Sequence, residues 1–399
     1  MKKKNLKRLF LVLIILILSP LVFSGGQAIA YADDENSAEE ELQQNVDKQL
    51  DGFDFGGLDQ ILSQFGNSEQ GIFGGGSFLD KVRKLISGEF GANFGDFFSY
   101  LFALLFDDLL GVVPVLATIV AIAIVCSFIS QINSQKSKSI SNVIYFVCFG
   151  AIVVLTFSVC QELIGITQQT LFSIKAQMEI VFPILLTLIA SIGGVVTVSA
   201  FQPAIAFLLV AIMEIFTVVI IPLFIFTLAF NVVGNLSSSI KLEKFAGFCN
   251  SLFKWIIGIV FTIFIAFITI QGITASAVDG VSIKTAKFAI KSYIPVLGGY
   301  LSDGLNLIMA SSILIKNAVG ATGLILLIAS VISPLVKILV FMLGLKLVAA
   351  ITEPLCDGRI SNFLSGVSKC LVMLIVCIIG VSFMYLVTAG LLMCLANVV

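Results

Sequence analysis

A single carboxylate, Glu214, sits near the middle of an otherwise apolar run, Ala204–Asn231. An ionised group at that depth in lipid costs about 3 kcal/mol or more unless it is protonated, paired or hydrated. Two chemistries fit: Glu214 lines a polar pathway, or it is a protonated acid hydrogen-bonded to a neighbouring helix. Lys316, Lys337 and Lys346 also lie in apolar sequence, and one of them could pair with Glu214. Alternatively each lysine lies where a span ends and extends its alkyl stem toward the interface, the reading favoured for Lys337 beside Pro334. Lys284, Lys287 and Lys291 share one helical face, with Ala286, Ala289 and Tyr293 opposite. Asp279-Gly280 offers a turn before that helix and Ser282 a cap, while Pro295 and Gly298-Gly299 end it. A helix of this kind lies on the membrane or re-enters it, turning its lysines to anionic lipid or to a protein partner. Gly193-Gly194 and Gly298-Gly299 are the candidate hinge or re-entrant breaks.

Much chemistry is excluded. The chain has no histidine, which removes the commonest general base and metal ligand. Most of the eight cysteines sit inside apolar runs, and none forms a C-x-x-C, so they are expected to behave as small hydrophobes rather than as a disulfide or zinc framework. No phosphate-binding G-x-x-x-x-G-K-[ST] loop, G-x-S-x-G elbow or H-E-x-x-H helix is present. The chain is therefore expected not to be an enzyme, and to need no cofactor, metal or nucleic acid.

The elements that must position these residues are set by solvent. Hydrophobic residues make up 58% of the chain and charged residues 12%, about half the charged share of a soluble domain, and the mean hydropathy is +1.10. Lipid is the solvent that such a chain needs, so the fold class is expected to be an all-α, polytopic helical membrane protein. Residues 1–32 read as a signal peptide. Lys2, Lys3, Lys4, Lys7 and Arg8 precede an apolar run to Phe23, and Ala28-Ile29-Ala30 and Ala30-Tyr31-Ala32 offer cleavage sites. An uncleaved anchor is the alternative, and either places Asp33 outside the cytoplasm.

Residues 33–108 carry 16 acids and 4 bases, whereas residues 109–399 carry 8 acids and 14 bases. Such asymmetry suggests two compartments: a small, mostly helical extracytoplasmic segment and a membrane domain. In the first, Leu42, Val46 and Leu50 have helical spacing, and the run from Gly71 to Gly76 reads as a linker. From Phe78 to Leu110 an apolar stripe predicts an amphipathic helix, lying in the interface or packed on the protein's own spans. Six stretches are long enough to span: Leu109–Gln131, Ile140–Cys160, Ile180–Val198, Ala204–Asn231, Leu252–Ile273 and Cys370–Ala396. With a span at 318–336, about seven are expected. Lysines favour the cytoplasmic side, so Lys136 and Lys138 belong there, as do Lys241, Lys244 and Lys254. Three full spans between those loops would put them on opposite faces, a conflict that one re-entrant segment would remove.

The segments PILLTLIASIGGVVTVSAFQP (Pro183–Pro203) and QGITASAVDGVSIKTAKFAIKSYIPVLGG (Gln271–Gly299) resemble those of the stage III sporulation protein AE family. Ser302-Asp303-Gly304, Ser311 and Lys316-Asn317-Ala318-Val319-Gly320 extend the likeness. The resemblance implies an endospore-forming bacterium and a place in the mother-cell membrane around the forespore. It implies membership of a trans-envelope channel or secretion-like assembly, encoded with ring-forming membrane proteins and a secretion-type ATPase that cytoplasmic loops could meet. It carries no catalytic residues. The expected function is that of a non-enzymatic membrane component of this assembly. The alternative is an autonomous solute transporter using Glu214 and the broken helices.

Overall fold

In a computed structural model the described residues are 35–63, 76–89, 94–134, 138–236, 243–293, 298–355 and 358–395. The signal-peptide region and nearly all of the glycine linker lie outside them. All described elements are helical. In chain order they are α1 (Glu35–Leu50), α2 (Gly56–Ser63), α3 (Phe78–Ile86), α4 (Phe94–Ser134), α5 (Lys138–Ser191), α6 (Val195–Glu214), a π-helical segment (Ile215–Ile220), α7 (Ile221–Leu236), α8 (Glu243–Tyr293), α9 (Gly298–Thr352) and α10 (Gly358–Cys394).

Six helices are long and apolar enough to cross a membrane, counting α6 to α7 as one. This follows from the solvent. With no water to satisfy exposed peptide groups, an apolar stretch closes its backbone hydrogen bonds on itself, and small interruptions do not end the helix. Asp279-Gly280, expected above as a turn, does not end α8 either: the helix runs through it to Tyr293. The seven expected spans therefore fall on six helices. Ile140–Cys160 and most of Ile180–Val198 belong to the single 54-residue α5, and the region 305–352 belongs to the 55-residue α9. Helices of that length reach roughly 80 Å, more than twice the thickness of the hydrocarbon layer, about 30 Å. The bundle therefore has to extend well beyond the lipid. Asp108, taken as the end of the extracytoplasmic segment, lies inside α4.

Helix α9 is the hub, packing against α10, α5, α4 and α8, and against α1 and α3 of the acidic segment. Lipid tails are as apolar as leucine, so association rests on close fit rather than on a hydrophobic drive. Glycines supply the fit. A Cβ added at Gly323 would stand 2.8 Å from the Tyr385 hydroxyl and 3.2 Å from Val181, so α9 lies against α10 and α5 there. Gly344 gives the same close approach to Leu116 of α4, and Gly366 to Asn231 of α7. Aromatic side chains fill the remaining space: the Phe182 and Tyr385 rings meet edge to face at 5.3 Å, as do Phe149 and Phe363 at 5.2 Å.

Candidate functional site

The charged residues inside apolar sequence fall into separate environments. The first is an interhelical layer. Lys337 of α9 donates to Glu162 of α5 at 2.8 Å, and Asp108 of α4 lies close enough to interact with the same ammonium. Asp108 Oδ2 is buried and has no hydrogen-bond partner among the described residues. Three helices thus meet at one charge layer. The sequence signal for it is symmetry: Asp108 and Glu162 lie at nearly equal distances on either side of Lys136. Of this group, Lys337 alone stands out in the sequence as a charge within an apolar run.

Lys316 is fully buried, and its ammonium donates to the backbone carbonyl of Leu395. That carbonyl belongs to the turn ending α10. The carbonyls closing a helix have no intrahelical donor and carry the negative end of the dipole, so a cation there is a cap. Lys316 joins the middle of α9 to the end of α10, a structural task. Neither Lys316 nor Lys337 pairs with Glu214.

Glu214 ends α6, where the backbone widens into the π-helical segment, and it is exposed on the outside of the bundle. Phe207, Val210, Val218 and Val219 are exposed on the same helix. The carboxylate therefore does not line an interior pathway. No local pattern in the sequence marks the π segment.

Gly193 and Gly194 form the turn between α5 and α6. Gly193 has φ 98°. The Gly194 N–H donates to the Ile189 carbonyl and the Gly193 N–H to the Ala190 carbonyl, both at 2.9 Å. This double bond with a left-handed residue is a Schellman cap, so the glycines stop one helix and start another. Gly298 and Gly299 open α9, and Lys284, Lys287 and Lys291 lie in the last part of α8.

The end of α4, the start of α5, the end of α7 and the start of α10 lie at one end of the bundle. The Tyr145 hydroxyl donates to the Asn235 carbonyl at 3.0 Å, the Arg359 guanidinium lies 3.8 Å over the Tyr145 ring, and the Ser127 hydroxyl donates to the Leu355 carbonyl. A single long α5 and a returning α6–α7 make two helical legs, not three, between Lys138 and Lys244, so the lysine conflict does not arise if each leg crosses the membrane once.

The acidic segment docks at the other end. Gln49 of α1 donates through Nε2 to Ser311 and accepts through Oε1 from Ser312, both at 2.9 Å, so its amide clasps two serines of α9. Helix α3 begins with a capping box. The Ser77 N–H donates to Asp80 Oδ2 at 2.9 Å, and the Asp80 N–H donates to Ser77 Oγ at 3.1 Å. The Ser77 backbone N–H, followed by its hydroxyl, holds the Asp80 carboxyl below its usual range. Burial lowers the Lys81 ammonium. Arg83 pairs with Asp47 at 3.3 Å and Asp51 at 3.4 Å, linking α3 to α1. Buried Phe78 and Val82 belong to the same core as Val46 and Leu50, so α3 is a helix packed on the protein itself.

What these groups do is hold helices in register and present outward surfaces. A family model described as stage III sporulation protein AE matches residues 77–396. A protein of Bacillus subtilis (strain 168) carrying that same description is 25% identical over 395 residues, covering 94% of this chain and 97% of that protein. No solved structure matches.

Proposed function

This chain belongs to the stage III sporulation protein AE family, and from that premise we propose that it is a non-enzymatic, multi-pass membrane component of a trans-envelope assembly needed for endospore formation. The family match over nearly the whole helical bundle carries the proposal. The outward apolar surface supports it: a bundle taller than one bilayer, with Phe102, Phe172 and Phe207 more than half exposed, has area to offer other membrane proteins. The mother-cell membrane facing the forespore is its place in this proposal. The acidic segment docked by Gln49 then faces the space between the two membranes, and the end bearing Lys138 and Lys244 faces the mother-cell cytoplasm, where a secretion-type ATPase has access to it.

Deleting the gene in a sporulating host is the test. Spore formation should stop after engulfment is complete, and the tagged chain, solubilised from sporulating cells, should co-purify with other membrane proteins of the assembly. Normal spore yield from the deletion strain would reject the proposal.

A further inference from the structure

Helix α8 carries a surface feature that the assembly role does not use. Lys254 and Trp255 are both exposed, Trp255 at 72%. With Gly258, Ile259, Thr262 and Ile263 they line an open groove of about 460 Å³ on the outer side of the helix. Its walls are almost entirely apolar, and one ammonium stands at its end. Among the described residues no acidic side chain forms an ion pair with Lys254.

Position along the helix gives the groove its meaning. Between Trp255 and Val278 α8 has no charged residue, a length of roughly 36 Å, enough to cross the hydrocarbon layer. Lys244 and Lys254 lie in the first part of α8, toward the end of the bundle where the end of α7 meets the start of α5. Lys254 and Trp255 therefore fall where a span gives way to headgroups, the level at which tryptophan and lysine settle. Cytoplasmic leaflets carry anionic lipid. At Gly258 the helix has no side chain, and a Cβ there would meet nothing within 4 Å, which leaves a channel for an acyl chain along the backbone.

We propose that this groove binds an anionic phospholipid, with the phosphate on Lys254, the glycerol region against Trp255 and an acyl chain lying over Gly258 toward Thr262. Charge selects the occupant: the groove presents a cation with no acidic partner among the described residues above an apolar trough, the complement of a phosphate above a hydrocarbon chain. A second apolar helix would fill the trough and leave the ammonium unmatched.

Trp255 is the sole tryptophan of the chain, so its fluorescence reports this site alone. The full chain is reconstituted in vesicles containing equal mole fractions of brominated phosphatidylglycerol or brominated phosphatidylcholine. The anionic quencher should associate about fivefold more strongly, the factor given by one lysine beside an anionic surface. Lys254→Gln should bring that ratio close to one, and Gly258→Leu, where the backbone has room, should reduce quenching by both lipids. Lys244→Gln, a lysine outside the groove, should leave the ratio unchanged. Equal quenching by the two lipids in the unsubstituted protein would overturn the proposal. An equal loss of preference in Lys244→Gln would also overturn it, since general surface charge would then account for the effect.

Discussion

Lys316 and Glu214 are both charged residues within apolar sequence, and their surroundings predict opposite responses to substitution. Lys316 is enclosed by the bundle and caps the end of α10 through the Leu395 carbonyl. Lys316→Ala removes both the cap and the buried stem, and should lower stability by roughly 2–4 kcal/mol. Lys316→Met keeps the stem and should lose less. Glu214 projects from the outer surface, so Glu214→Gln should shift stability by no more than about 0.5 kcal/mol. Thermal unfolding of the full chain in detergent separates the two. A second residue-scale expectation concerns Asp80. Its lowered carboxyl means that ionised Asp80 is favoured in the folded state, so its contribution is present above the ordinary value of 3.8 and fades as pH falls through the lowered one. Asp80→Ala should cost roughly 0.5–1 kcal/mol at pH 7, and the difference from the unsubstituted protein should vanish in acid.

At the scale of elements, Gly193 and Gln49 define the two joints. Gly193 takes a positive φ of 98° in the cap that ends α5, a conformation that a Cβ opposes by roughly 1–2 kcal/mol. Gly193→Ala should lower the unfolding midpoint accordingly, whereas Gly165→Ala, at an open position of α5, should not. Gln49 clasps Ser311 and Ser312. Gln49→Ala should loosen the contact of α1 with α9, which Val46 and Leu50 still hold by apolar packing, and make the segment around Asp51 more sensitive to limited proteolysis while the bundle stays folded. These joints also show how far sequence reasoning reached. The apolar runs, the acidic front and the helical spacing of Leu42, Val46 and Leu50 are local patterns, and a chain in lipid has little choice but to make helices from them. The length of α5 was not legible, because the polar stretch Gln161–Glu179 looks like a loop until its Thr167, Thr170 and Gln177 are seen to turn inward. Asp279-Gly280 misled for a related reason: such a pair permits a turn without imposing one, and α8 continues through it to Tyr293. The Gln49 clasp joins residues more than 250 positions apart, and no local pattern announces it.

At the scale of the whole molecule, the central claim is the common end. If α5 is one helix and α6–α7 its return, Lys138 and Lys244 stand on the same side of the membrane and the last part of α8, with Lys287, stands at the opposite end. The acidic segment docked on Ser311 and Ser312 shares that opposite end. This arrangement satisfies the lysine rule without a re-entrant segment, and in the proposed role it would leave one face for cytoplasmic partners and one for partners on the other side of the membrane. The direct measurement is cysteine accessibility. In a background with the native cysteines replaced, Lys138→Cys, Lys244→Cys and Lys287→Cys are expressed in non-sporulating cells, where the outer face of the membrane meets the medium, and labelled singly with a membrane-impermeant maleimide in intact cells and in inverted vesicles. The account predicts that positions 138 and 244 react only in inverted vesicles and that position 287 reacts in intact cells. Labelling of positions 138 and 244 from opposite sides would contradict it.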